Sequence, residues 1–191
     1  EHPDTLAQCD LGYHAVDLRD PAHPQFAGCF KSSLGINGRG YTHDAQCLVY
    51  RGPDLDYQGR EICIGSDETG IAILDVTDKT SVREIATATY PAVGYTHQGW
   101  FDEAQRYFYV NDELDELRGK VPHTRTLIFD LLDLDSPQLA GAYFATTSAI
   151  DHNLFVRGDR LYQANYTVGL RVLDISDRVH PVEVAFFDTY P

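Results

Sequence analysis

The feature that most constrains the fold of this chain is an internal repeat. A segment that begins with glycine, continues through alternating apolar residues and ends in two spaced aspartates occurs at 70–78 and again at 169–177. The same unit occurs at 12–20, and a more diverged copy occupies 126–133. Because repetition at a fixed period is the sequence signature of repeat architectures, the structure of one unit determines the whole fold.

A second signature precedes three of these copies. It places His43, His97 and His152 about 55 residues apart, and after each histidine come an apolar run, a turn and a second apolar run. Each repeat therefore contains four short strands and leaves little room for helix. Four-stranded antiparallel units at this period are typical of β-propeller blades.

We therefore predict an all-β fold, a β-propeller of about three and a half four-stranded blades that belongs to a larger propeller. The predicted single partial propeller spans 1–191, with the end of one blade at 1–38 and blades at 39–92, 93–147 and 148–191. A propeller has at least four blades in most cases, so we do not expect the chain to close by itself. Missing blades of the parent chain or a partner chain should cover its edges.

The composition narrows the class of protein. A hydrophobic content of 43% with 12% aromatic residues is sufficient for a globular core. The formal charge of −14 argues against a nucleic-acid partner, because such binding depends on Lys and Arg. No apolar stretch is long enough to be a transmembrane segment. Because the chain contains no Met, we expect a processed or fragmentary piece of a longer, exported product.

Four cysteines lack the close spacing of a zinc site. Cys47 and Cys63 lie in consecutive apolar runs separated by a polar turn, which predicts a disulfide across a hairpin. Cys9 and Cys29 form the remaining pair, although either could instead be a buried free thiol. Disulfides indicate an oxidising compartment, so we predict a secreted or cell-surface protein.

An aspartate ends each predicted third strand and is followed closely by a second aspartate. Asp and Pro shape tight turns because the carboxylate accepts backbone N–H bonds. We therefore predict a structural role in turns for these eight residues. They are Asp17, Asp75, Asp130 and Asp174, with the partners Asp20, Asp78, Asp133 and Asp177.

The histidines form the candidate functional site. The first strand of each blade lines the central channel, so the three imidazoles should converge at one mouth and could bind zinc, copper, iron or nickel. Carboxylates of Asp44, of Asp151 or of the turn 111–113 could complete or orient the ligand shell. The predicted metal ligands are His43, His97, His152, Asp44, Asp112 and Asp151. The alternative is that each histidine donates a hydrogen bond to the backbone of a neighbouring blade.

Two other features of the sequence could form sites. The acidic run 112–116 offers oxygen ligands that suit calcium, but it lacks the spacing of a known calcium loop, so we interpret it as a solvated loop. Trp100, Tyr41, Tyr95 and Tyr166 could form a ligand-binding mouth, but aromatic residues in blades more often pack between sheets. The glycine-rich segment 35–40 precedes a strand, which is the wrong context for a phosphate loop, and no nucleophile elbow is present.

Several strings resemble one known family. IAILDVTD at 71–78 and RVLDISD at 171–177 are similar to the LVIVD repeat. With YTHDAQC at 41–47, YTHQGW at 95–100 and IDHNL at 150–154, nearly the whole chain resembles the choice-of-anchor B family. The resemblance implies an extracellular or surface-attached propeller of bacterial type and no particular chemistry. It also implies flanking blades and an anchoring device, which we do not recognise in this sequence.

These observations lead to three functional hypotheses. The first is an extracellular binding or assembly module with a His-lined ligand or metal site at the channel mouth. Its partners would be other extracellular proteins or copies of itself. The second is a metal-dependent oxidase or hydrolase that uses His43, His97 and His152. The third is a structural metal-binding propeller in which the ion only stabilises the arrangement of the blades. An open coordination position on the metal would distinguish the second hypothesis from the third.

Overall fold

The computed structural model describes residues 12–189, which form four antiparallel sheets. The first sheet has two strands, β1 (Tyr13–Asp17) and β2 (Gln25–Phe30). The second blade comprises β3 (Asp44–Val49), β4 (Glu61–Ser66), β5 (Ile71–Asp75) and β6 (Arg83–Ala88). The third blade comprises β7 (Thr96–Phe101), β8 (Tyr107–Asp112), β9 (Arg125–Asp130) and β10 (Gln138–Phe144). The fourth blade comprises β11 (Leu154–Arg157), β12 (Arg160–Ala164), β13 (Leu170–Asp174) and β14 (Val182–Phe187).

Each four-stranded blade is a simple meander, in which every strand pairs with the next strand along the chain. Helical structure within 12–189 is limited to three single turns of 3-10 helix, at Ile36–Gly38, Leu55–Tyr57 and Tyr166–Val168. No helix in that range is long and apolar enough to cross a membrane. The predicted all-β partial propeller is confirmed.

A bulge recurs between the two outer strands of every sheet. The register shifts at Ala15/Val16, Ile73/Leu74, Leu139/Gly141 and Val172/Leu173. A bulge increases the local right-handed twist, so the repeated defect gives each blade the same strong twist toward its rim.

The core lies between the blades. Ile64 and Ile73 of the second blade pack with Phe108 and Phe129 of the third blade, and all four are fully buried. A second cluster joins the third and fourth blades through Tyr109, Ile128, Leu154, Leu161 and Leu173. Because the central strands are covered on both faces, they are apolar along most of their length.

The inner strands of adjacent blades are also joined by a repeated hydrogen bond. The Gln46 side-chain oxygen accepts the Phe101 backbone N–H at 2.7 Å. One blade further on, the Gln98 side-chain oxygen accepts the Leu154 backbone N–H at 2.8 Å. A glutamine side chain on the inner strand therefore joins the second blade to the third and the third blade to the fourth.

The predicted turn role is confirmed for all eight aspartates. The second aspartate of each pair accepts the backbone N–H two residues later; the donors are Ala22, Thr80, Asp135 and Val179. The first aspartate of each pair makes the same contact. In every sheet its carboxylate accepts the backbone N–H two residues later; the donors are Arg19, Thr77, Leu132 and Ser176. In the three four-stranded blades it also binds an arginine that lies at or just before the second strand. The ion pairs are Arg60–Asp75, Arg106–Asp130 at 2.8 Å and Arg160–Asp174 at 2.9 Å. These aspartates therefore connect two turns of the same blade.

Cys47 and Cys63 lie opposite each other on β3 and β4 and are joined by a disulfide. This is the bond that the hairpin pattern predicts. Cys9 lies outside the described residues, so its predicted pairing with Cys29 is not described. One cross-strand bridge therefore closes the inner hairpin of the second blade.

Candidate metal centre

The three repeated histidines converge at one end of the inner strands. His97 lies at the start of β7, and His43 and His152 lie just before β3 and β11. The ring centroids of His43 and His97 are 4.2 Å apart, and those of His97 and His152 are 4.4 Å apart. The repeat register thus brings imidazoles from three blades into one row.

A carboxylate from the third blade meets two of these rings. Glu113, which directly follows β8, places Oε2 3.6 Å from His97 Nε2 and Oε1 3.8 Å from His152 Nε2. The ligand atoms of the three residues all lie within 4.8 Å of one another. Two donors at about 2.0–2.1 Å from a tetrahedral zinc ion are about 3.4 Å apart, so this spacing is close to that of a metal site.

His43 has a different environment. Its Nδ1 lies 3.2 Å from the backbone carbonyl oxygen of His97, which is a hydrogen bond to the neighbouring blade. That contact matches the alternative interpretation of the repeated histidine. His43 therefore borders the candidate site, whereas His97, His152 and Glu113 supply its converging donor atoms.

The carboxylates that the sequence suggested occupy other positions. Asp112 accepts the backbone N–H groups of Gly94 at 2.6 Å and Tyr95 at 2.5 Å, so its oxygens stabilise a loop. Asp151, which precedes His152 in the sequence, is fully buried, and Asp44 is half-buried at the start of β3. Successive strand residues alternate in direction, which indicates why Glu113 and not Asp112 faces the histidines.

The electrostatics favour a neutral imidazole at the centre of the row. Burial, together with the neighbouring His43 ring, lowers the pKa of His97 to about 4, although the Glu113 carboxylate acts in the opposite direction. His97 is therefore neutral at pH 7 and retains a lone pair for a metal ion. Tyr166 donates its hydroxyl hydrogen to Glu113 Oε1 at 2.6 Å, which is the kind of outer contact that orients a ligating carboxylate.

Tyrosine rings border the histidines. His43 meets Tyr41 and Tyr95 edge-on at centroid distances of 6.2 and 5.4 Å, and His152 meets Tyr166 at 5.2 Å. Trp100 instead packs against Phe155 at 4.9 Å. Three of the four aromatic residues thus border the histidines, and the fourth packs between blades.

The acidic run after β8 is not a solvated loop. Asp112 and Asp115 are both fully buried. The Arg125 guanidinium lies 2.7 Å from Asp115 and 3.9 Å from Asp112, which brings a positive charge to the buried side of the loop. The solvated-loop interpretation is wrong because this arginine, on the adjacent strand β9, draws the acids inward.

Comparisons with known proteins agree with this architecture. The family model of the LVIVD repeat matches residues 152–189, which cover the fourth blade. A crystal structure of a protein from Lactobacillus plantarum is similar over 93% of this chain and 51% of its own, with a TM-score of 0.61 and 13% sequence identity. No curated protein gave a match.

These comparisons confirm the LVIVD repeat and the propeller-like fold, and the chain spans about half the length of that solved structure. Membership of the choice-of-anchor B family stays a prediction.

Proposed function

We propose that this chain is part of a secreted or cell-surface β-propeller that acts as a binding module and holds a divalent transition-metal ion through His97, His152 and Glu113. The proposal includes blades over 39–92, 93–147 and 148–191. The observation that carries it is the convergence of three ligand atoms, from two blades, within 4.8 Å. The disulfide between Cys47 and Cys63 supports an oxidising compartment.

The chemistry of the donor set supports a transition metal. Two imidazoles and one carboxylate are a known zinc-binding combination, and imidazole also suits copper, iron and nickel. A dication would offset the negative charge of Glu113. Tyr166 would stabilise the carboxylate orientation without contacting the ion itself.

The assembly part of the proposal rests on uncovered apolar surface. Phe155 is 48% exposed and Phe187 is 66% exposed on the fourth blade. Exposed apolar blade surface favours coverage by a further sheet. Since the chain spans about half of the similar solved structure, we propose that further blades of a parent chain, or a second copy, cover this surface.

Metal analysis tests the site directly. The purified chain, loaded with zinc and dialysed, should retain near-stoichiometric zinc by elemental analysis, and the His97→Ala and Glu113→Gln variants should lose it. His123→Ala is the matched control because His123 is exposed and lies outside the site. Absence of zinc from the wild-type chain, or equal zinc in His97→Ala, would contradict the proposal.

A second candidate function is a metal-dependent hydrolase or oxidase. Three protein donors leave one position of a tetrahedral ion open, as in catalytic zinc sites. Zinc-loaded protein should then hydrolyse an activated ester faster than the His97→Ala variant, or copper-loaded protein should consume oxygen with a phenol. Equal rates for wild type and variant in both assays would leave the binding module as the function.

A further inference from the structure

A buried polar network joins the third and fourth blades next to the histidine site. It consists of Asn111 near the end of β8, Thr126 on β9 and Gln163 on β12, and each residue is at most 1% exposed. Asn111 donates from Nδ2 to the backbone carbonyl oxygen of His152 at 3.0 Å. Gln163 donates from Nε2 to Asn111 Oδ1 at 3.1 Å and also to the Thr126 hydroxyl oxygen. The network therefore connects the two blades in both directions.

The orientation of the Asn111 amide is fixed by its partners. The His152 carbonyl can only accept a hydrogen bond, so Asn111 must present its NH2 group to it. The Asn111 Oδ1 atom then accepts from Gln163, and the Thr126 hydroxyl lies 3.4 Å away as a further donor. A reversed amide would place oxygen against oxygen at His152 and NH2 against NH2 at Gln163. The network thus selects one orientation of this side chain.

Asn111 acts on both sides of the contact between His152 and Glu113. It lies two residues before Glu113, and because strand residues alternate in direction, the two side chains point to the same side. Glu113 Oε1 lies 3.8 Å from His152 Nε2, and Asn111 binds the backbone of the same histidine. One short segment of the third blade therefore holds the main chain of His152 and also meets its ring.

The fold of a blade does not require this network. In the second blade and at the positions equivalent by strand pairing in the remaining four-stranded blade, the side chains are small or apolar. They are Ser66 and Ala164 for Asn111, Gly65 and Val110 for Gln163, and Ile71 and Leu170 for Thr126. Buried polar groups are costly unless they are hydrogen-bonded, so their use at this one interface favours a role in the adjacent site.

We propose that Asn111 is a positioning residue of the transition-metal site, and that Gln163 and Thr126 hold its amide in the required orientation. The inference rests on the proposed function, because His152 and Glu113 are ligands only in that proposal. Both polar atoms of Asn111 are engaged in the network, so it acts through these two ligands and not on the ion. It sets their separation before the ion binds, so less conformational freedom is lost on binding.

The zinc affinity of the full chain, measured by competition with a chromophoric chelator, tests the proposal. Asn111→Ala and Gln163→Val introduce the residues that other blades carry at these positions. Each should weaken zinc binding about 10–100-fold, which is the usual effect of removing an outer hydrogen bond to a ligand. Gln46→Ala is the matched control and should bind zinc like the wild type, because it removes a hydrogen bond between the second and third blades instead.

The visible absorption spectrum of the cobalt-loaded protein separates positioning from a general structural role. The spectrum of bound cobalt depends on the geometry of its ligands. At saturating cobalt, the spectrum of Asn111→Ala should differ from that of the wild type, whereas the spectrum of Gln46→Ala should match it. Thr126→Val keeps the side-chain shape and removes the hydroxyl, and it replaces Asn111→Ala or Gln163→Val if either variant does not fold.

The outcomes distinguish this inference from the proposed function. A wild-type chain that binds neither zinc nor cobalt would refute the metal site and the inference together. Wild-type zinc affinity and an unchanged cobalt spectrum in both Asn111→Ala and Gln163→Val would overturn the positioning role alone. An equal loss of zinc affinity in Gln46→Ala would also overturn it, because the loss would then reflect weaker packing of the blades in general.

Discussion

Asp67, which directly follows β4, makes the stability of this protein depend on pH in an unusual direction. It is fully buried and accepts a hydrogen bond from the Ser32 hydroxyl. Burial raises its pKa from 3.8 to about 6, and the Ser32 hydrogen bond and the nearby Thr42 hydroxyl offset only part of that effect. The folded state therefore prefers the protonated carboxyl group, which is the reverse of the usual case for a paired aspartate.

The magnitude follows from the shift in pKa. A folded pKa above the unfolded value gives a contribution that is complete below about pH 3.8 and is lost as the pH rises through about 6. At 1.36 kcal/mol per pKa unit, the ionised group costs about 3 kcal/mol at pH 7. Asp67→Asn cannot ionise and retains an oxygen acceptor for Ser32. We therefore expect the variant to exceed the wild type in stability by up to about 3 kcal/mol at pH 7 and by less than about 1 kcal/mol at pH 4.

Urea unfolding, followed through the fluorescence of the single tryptophan, Trp100, measures this difference at pH 4, 5, 6, 7 and 8. Asp56→Asn serves as the control because Asp56 is exposed. The reasoning is refuted if the stability difference between Asp67→Asn and the wild type is the same at pH 4 and pH 7, or if the wild type is the more stable protein at pH 7.

Three further predictions concern stability and share the same urea assay. Replacing Cys47 and Cys63 by alanine opens a loop of sequence separation 16 and should lower the free energy of unfolding by about 3 kcal/mol. An unchanged urea midpoint would contradict this prediction. Arg125→Met removes the cation from a buried ion pair and should lower the free energy of unfolding by about 3–5 kcal/mol. A loss below about 1 kcal/mol would show that Asp112 and Asp115 do not depend on Arg125 for neutralisation. Phe129→Ala should cost about 3–5 kcal/mol as a fully buried ring, and clearly more than Phe155→Ala at an exposed position.

The fold follows from the sequence because each blade is a local unit. An apolar third strand and a terminal aspartate recur in every repeat, and three of the four copies begin with glycine. Each strand pairs with its neighbour along the chain. In such a meander, no strand has to pair with a strand that is distant along the chain. The bulge beside the third strand was not predicted, because it depends on the backbone register between strands and leaves no fixed residue type in the sequence.

The candidate site could be predicted only in part. His97 and His152 were identified because equivalent positions of successive blades converge on one axis. Within the turn 111–113 the sequence did not distinguish Glu113 from Asp112, which we predicted as the ligand. The approach of Glu113 to the histidines depends on how the loop after β8 turns and on the hydroxyl of Tyr166, which lies 53 residues away.

The acidic run was interpreted as solvated for a similar reason. A run of acids next to a strand resembles an exposed loop when only neighbouring residues are considered. Arg125 lies on the following strand and forms its ion pair across a 10-residue separation. Burial of this loop is therefore a tertiary effect that local charge patterns do not reveal.

The repeated glutamine contact between inner strands has a consequence for how such proteins change in size. Gln46 and Gln98 each bind the backbone N–H of the next blade, and neither contact involves a residue beyond that neighbour. A gene segment of about 55 codons thus encodes both a blade and the means to attach the next one. Duplication or deletion of such a segment would leave the same glutamine contact between adjacent blades. The number of blades can therefore vary in evolution without a new type of contact between them.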